Sequence, residues 1–179
     1  TCKPPISTRY PIVEPVTGVA FAGVTWWALA SAGLTTGQML TASETWALAL
    51  VIVAYLYFAA ISIVLTLIDL DTHRLPNSIV LPSYLVAGTL FTVAAWLTGD
   101  GSALLVAGVG MAAMYLFYFL LRAARPGGMG GGDVKLAGVI GIYLGWLGWG
   151  ALAVGAFAAF LYGGVFGIAL MLIRRAGRK

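Results

Sequence analysis

Three aspartates in this 179-residue chain sit where an acid is costly to place: Asp69 and Asp71 in LIDLDTHRLPN, closing one long apolar run, and Asp133 in GGMGGGDVKLAG, just before another. Ionisable groups at such positions carry a functional role as the default hypothesis. Two carboxylates brought together in a partly dry site do not both ionise readily, so one keeps a proton while the other stays charged. Such a pair is an acid and a base at once. Its charged member takes a proton from water as the water attacks a peptide carbonyl, and its protonated member hydrogen-bonds the carbonyl oxygen. That chemistry needs no metal, thiol or serine. Glycines ahead of Asp133 would let a substrate backbone approach closely and let the loop move. Each acid also has a structural explanation when taken alone: Asp133 as a helix cap, Asp69 and Asp71 as interfacial charges balanced by Arg74.

The elements that must position these groups are membrane helices. Hydrophobic residues make up 61% of the chain and charged residues 9%, and the mean hydropathy is +0.98. Apolar runs of about 20 residues, the length that crosses ~30 Å of hydrocarbon, recur throughout. The chain is expected to be all-α, one polytopic membrane domain over residues 1–179 with six spans. Residues 1–14 are polar and proline-bearing, the remainder of a cytoplasmic N-terminal segment, and read neither as a signal peptide nor as a span. The first span is expected from Pro15 to Leu34, with Pro15 in its first turn, and the second from Trp46 to Ile68. The third runs from Ile79 to Leu97 with Pro82 in its first turn, and the fourth follows TGDGS and ends near Leu121. From Leu136 to Ile173 a single helix would extend ~57 Å at ~1.5 Å per residue, so the run must fold back, at GWLGWG. A short fifth span and a long sixth result.

Charge placement tests this layout, because cytoplasmic loops collect Lys and Arg. With the N-terminus inside, Lys3, Arg9, Arg74, Arg122, Arg125, Lys135, Arg174, Arg175, Arg178 and Lys179 all fall on the cytoplasmic side, which is every one of the ten basic residues. The opposite loops carry Glu44 and Asp100. The net charge of +4 therefore reports topology and contact with anionic lipid headgroups, and no nucleic-acid partner is expected. All three aspartates lie at the cytoplasmic boundary. Asp69 and Asp71, about 200° apart on a continuing helix, cannot both face Asp133.

Other chemistries are poorly supplied. Cys2 is the sole cysteine and His73 the sole histidine, so an internal disulfide and a cysteine zinc site are out of reach, and His73 reads as a solvated loop residue. GGMGGGDVK lacks the Gly-Lys-Ser/Thr ending of a phosphate-binding loop. Glycines inside the spans point to close helix packing. A proton- or ion-coupled transporter is the alternative use of intramembrane acids, but it predicts carboxylates nearer the midplane and repeated halves, and no internal repeat is evident.

Three stretches together resemble the bacterial type IV prepilin peptidases, which belong with the GxGD intramembrane aspartyl proteases. The second aspartate of that family sits in Gly-x-Gly-Asp-x-Lys, here Gly130-Gly131-Gly132-Asp133-Val134-Lys135. Its first lies seven residues before a proline in a pattern like I-D-x-D-x-x-x-L-P-D/N, here Ile68 to Asn77 with Asp69, Asp71 and Pro76. ISTRYPIVEPVTG, residues 6 to 18, is similar to a further family segment preceding a span. The resemblance implies that Asp69 and Asp133 are the catalytic pair. Asp71 then serves as a neighbour of the pair or a contact to a basic leader, with Gly130, Gly131, Gly132, Pro76 and Lys135 beside it. Lys135 could bias which carboxylate ionises or simply anchor its helix at the interface.

The same resemblance implies the substrate, a prepilin or pseudopilin with a short basic leader and an apolar helix, cut at the cytoplasmic face of the bacterial inner membrane, typically after a glycine. Pilus assembly or type II secretion would be the downstream process. Proteolysis needs no cofactor. Many family members also methylate the new N-terminus with S-adenosylmethionine, a function tied to an N-terminal region with Cys-x-x-Cys pairs resembling a zinc site. Here Cys2 stands where the last of those cysteines would be, so S-adenosylmethionine is implied only with retained methyl transfer, and zinc is not expected.

Overall fold

The computed structural model describes residues 10–124, 129–159 and 161–162. It is all-α, with no strand among the described residues. The helices are α1 (Tyr10–Ser31), α2 (Ala42–Thr72), α3 (Asn77–Thr98), α4 (Ser102–Ala124) and α5 (Gly131–Trp146), followed by α6 (Trp149–Ala159). Four of them, α1 to α4, are long and apolar enough to cross a membrane. α5, with 16 residues, reaches ~24 Å at ~1.5 Å per residue, short of the ~30 Å hydrocarbon thickness. The chain reverses after it at Leu147 and Gly148, within GWLGWG, where Gly148 adopts φ 104°. The far end of the expected sixth span, and the basic residues Lys3, Arg9, Arg125, Arg174, Arg175, Arg178 and Lys179, lie outside the described residues, as does Cys2.

Several helix starts differ from expectation, each for a local reason. α1 begins at Tyr10, so the last residues of the expected polar N-terminal segment are helical and Pro15 lies inside the helix. Pro11 occupies the first turn instead, and Pro15 has no N–H to offer the Pro11 carbonyl. α1 ends at Ser31, three residues early, because Gly33 takes a left-handed φ of 73°. α2 starts four residues before Trp46. Thr41 and Glu44 form a capping box there, with the Thr41 amide donating to Glu44 Oε2 at 2.8 Å and the Glu44 amide donating to Thr41 Oγ1 at 3.3 Å. α3 begins at Asn77 with Pro76 as its N-cap, so Pro82 falls in the second turn and leaves the Ser78 carbonyl without its helical donor. Neighbouring helices make such gaps tolerable in a membrane.

Lipid tails are as apolar as leucine, so close packing, rather than hydrophobic burial, must hold such helices together. The tightest seam joins α4 and α5. Gly110 and Gly141 meet backbone to backbone, and a Cβ at either would clash with the carbonyl of the other; Gly145 abuts the Val106 carbonyl in the same way. A second seam joins α5 to α2 and α3 through aromatic rings. Tyr143 stacks on Phe58 at 4.3 Å and meets Tyr55 and Phe91 edge-on at 5.2 and 5.3 Å. The Tyr55 hydroxyl, from α2, donates to the Tyr143 carbonyl at 2.7 Å. α5 is thus fixed on both flanks, with its N-terminus delivered to one end of the bundle.

Candidate active site

That end collects the C-termini of α2 and α4 and the N-termini of α3 and α5. Among the described basic residues Arg74, Arg122 and Lys135 lie there, whereas Glu44 and Asp100 belong to the turns at the opposite end. Phe58, Ser62, Leu65 and Asp69 follow one another along α2 at intervals of four, three and four, and so share a face. Asp133, Leu136 and Ile140 do the same on α5. The two faces, with Thr66 and Leu75, enclose a cavity of about 310 Å³. Asp69 and Asp133 therefore line one space, although they stand far apart in sequence.

α2 remains helical through Thr72, which makes the angular comparison of its two aspartates valid. Asp69 lines the cavity and Asp71 does not; Asp71 instead continues the stripe of Ile63 and Leu67 at four-residue intervals. The helix stops at His73, whose left-handed φ of 52° lets its amide donate to the Asp69 carbonyl at 2.8 Å. His73 is exposed and acts as a C-cap. Among the described residues no group of three or more His, Cys, Asp or Glu side chains gathers as a metal site would require.

Asp133 is both a wall of the cavity and part of a cap. It is the third residue of α5, half-buried, and its Oδ2 accepts from the Gly130 amide at 3.0 Å. Its carboxylate is thereby held by the helix it opens, at the end whose dipole favours an anion. The glycines before it lie close to other parts of the chain. A Cβ on Gly132 would lie 2.7 Å from Leu75 Cβ, and one on Gly131 would lie 2.7 Å from Arg122 Nη1. At Gly132 the neighbour includes the Leu75 backbone, which cannot give way, whereas at Gly131 it is the mobile end of the Arg122 side chain. Leu75, one residue before Pro76, is consequently pressed onto the first turn of α5, where it forms part of the cavity wall. Gly127 and Gly128 lie outside the described residues.

Lys135 bonds to α3. Its Nζ donates to Asn77 Oδ1 at 3.0 Å, and its backbone carbonyl accepts from the Tyr84 hydroxyl of α3. α3 and the start of α5 are joined by this pair of bonds. Leu75 and Asn77 were within reach of the sequence, since both are fixed positions of the first motif; Tyr84 and Arg122 carried no signal of their own. A double-mutant cycle of Lys135→Met and Asn77→Ala, read by unfolding in detergent, is expected to return a coupling of about 1 kcal/mol, the size of one side-chain hydrogen bond. Zero coupling would show that the two side chains do not hold the helices together.

Residues 56–172 match the type IV leader peptidase family. A prepilin leader peptidase/N-methyltransferase of Aeromonas hydrophila is 32% identical over 174 residues, which cover 97% of this chain and 52% of the relative. One of Neisseria gonorrhoeae is 34% identical over 180 residues, 97% of this chain and 54% of the relative. One of Bacillus subtilis (strain 168) is 30% identical over 182 residues, 100% of this chain and 62% of the relative. The chain thus spans about half the length of the curated relatives it matches. No solved structure matches it.

Proposed function

Because this chain belongs to the type IV leader peptidase family, we propose that it is a membrane aspartic endopeptidase that removes the short basic leader of type IV prepilins or pseudopilins at the cytoplasmic membrane interface. Asp69 and Asp133 are its acid and base. The observation that carries this reading is their shared cavity, at the end of the bundle where the described basic residues gather. The charged carboxylate takes a proton from water while the water oxygen bonds to the scissile carbonyl carbon. The protonated one donates to the carbonyl oxygen, stabilising the tetrahedral intermediate. On collapse the carbon–nitrogen bond breaks and a proton passes to the departing amine.

Depth agrees with that substrate. A leader that stays in water and a helix that stays in lipid meet at the interface, so carboxylates that cut between them must sit at a helix end. A glycine before the cut eases local unwinding through its low helix propensity. In this proposal the protein resides in the bacterial inner membrane and proteolysis needs no cofactor. S-adenosylmethionine would serve only the methyl transfer that the relatives' names also carry, which is not assigned to this chain, and zinc has no part in the mechanism. A transporter using the same carboxylates finds no support among the relatives.

The test is to reconstitute the chain in liposomes with a prepilin and to sequence the new N-terminus. One cut, between the basic leader and the apolar helix, is expected. A prepilin left whole, or one cut within its helix, would reject the proposal.

A further inference from the structure

Two positions beyond Asp133, and so about 200° round α5, Lys135 lines a different opening. Leu81 and Tyr84 of α3, Met111, Ala112 and Tyr115 of α4 and Lys135 itself enclose a groove of about 290 Å³. α3 and α4 touch little, so the groove lies between them with α5 as its floor, and Leu81 and Tyr115 on its walls are exposed. Positions 131, 135 and 138 follow one another along this face of α5 at intervals of four and three. A Cβ on Gly138 would run into the Tyr84 hydroxyl and Tyr115 Cβ, and one on Gly131 would lie 2.7 Å from Arg122 Nη1. Two cations therefore stand at the basic end of the groove. Arg122 lies against the first residue of α5, and the Lys135 ammonium reaches the first residue of α3, donating to Asn77 Oδ1 at 3.0 Å. That ammonium keeps two further donors. Among the described residues no carboxylate lines the groove.

We infer that this groove binds an anionic phospholipid, with one acyl chain between α3 and α4 and the phosphate between Arg122 and Lys135. Charge complementarity selects this occupant. Two cations with no acid on the groove's walls attract a phosphate, to which both donate charge-assisted hydrogen bonds, and they repel the basic leader of a prepilin. The N-termini of α3 and α5, at the same end, add partial positive charge. Below the cations the walls offer Leu81, Met111 and Ala112 to an apolar chain. Basic pockets between membrane helices are a recurring way to hold acidic headgroups. The lipid would join α3, α4 and α5 at the turns that also carry Asp133. Such a site stands whether or not the chain cuts prepilins.

Native mass spectrometry of the chain, released from detergent that contains phosphatidylglycerol or phosphatidylcholine, reads the binding. One phosphatidylglycerol per chain is expected to be retained, and phosphatidylcholine is not. Arg122→Gln and Lys135→Gln are each expected to weaken that retention about fivefold, the scale of one basic residue at an anionic membrane surface. Ala112→Trp, at an exposed position of α4, fills the groove and leaves both charges in place; it is expected to abolish retention. Arg74→Gln, at the same end but outside the groove, is expected to bind as the wild type does. Equal retention of the two lipids, equal loss in Arg74→Gln, or full retention by Ala112→Trp would overturn the site. Displacement of the lipid by excess glycerol phosphate would assign the cations to a free phosphate, and dimers that exclude the lipid would assign the groove to a second copy. Either result overturns the proposal.

Discussion

Asp69→Asn and Asp133→Asn are each expected to slow leader removal about 10⁴-fold, and the double variant is expected to be no slower than either, because residues that act as a unit fail together. Asparagine keeps the size of the side chain and removes its ability to exchange a proton. For Asp133 that separation is especially clean. Its Oδ2 accepts from the Gly130 amide at 3.0 Å, and an asparagine carbonyl can accept the same bond, so the start of α5 survives the substitution. Loss of activity in Asp133→Asn with unchanged unfolding is therefore chemical. Asp133→Ala differs by also costing about 1 kcal/mol of stability through the lost cap. The comparison is made by single-turnover cleavage together with unfolding in detergent; additive losses in the double variant would mean that the two carboxyls act in separate steps.

Gly141→Leu is the structural counterpart. The α4–α5 seam brings Gly141 against the Gly110 carbonyl, with backbone on both sides and no flexible side chain able to give way. A leucine there must part the helices, at a cost of at least ~3 kcal/mol on the scale of severe overpacking, and α5 carries Asp133 away with it. Lower resistance to unfolding and loss of cleavage should appear together. Gly108→Leu is the control on α4, since a Cβ at that position has nothing within 4 Å. Equal effects at positions 108 and 141 would deny the seam its role.

Much of this was legible in the sequence for a physical reason. Membrane helices satisfy their backbone internally, so apolar length and breakers place them. That Asp69 and Asp71 would not line the same space was legible too, because two residues on a continuing helix turn the side chain about 200°, and Asp69 alone of the two lines the cavity with Asp133. The ends were harder. Pro15 and Pro82 suggested first turns, yet both lie one turn further in, since Pro11 and Pro76 had already taken the starting positions. Thr41-Ala42-Ser43-Glu44 was a readable capping box that would have corrected the start of α2. The purpose of Gly131 and Gly132 was not readable. A glycine announces that something comes close, and whether that is a substrate or the chain's own Leu75 and Arg122 depends on contacts between residues distant in sequence. Lys135 illustrates the same limit: its charge alone did not disclose the hydrogen bond that its Nζ donates to Asn77.

The pairing of Asp69 with Asp133 is tested most directly by intact-mass spectrometry of a prepilin incubated in liposomes with the wild-type chain, Asp69→Asn, Asp71→Asn and Asp133→Asn. Leader loss by the wild type and by Asp71→Asn, with none by Asp69→Asn or Asp133→Asn, is the predicted result. Leader loss that persists in Asp69→Asn or Asp133→Asn, or that disappears only in Asp71→Asn, would contradict it.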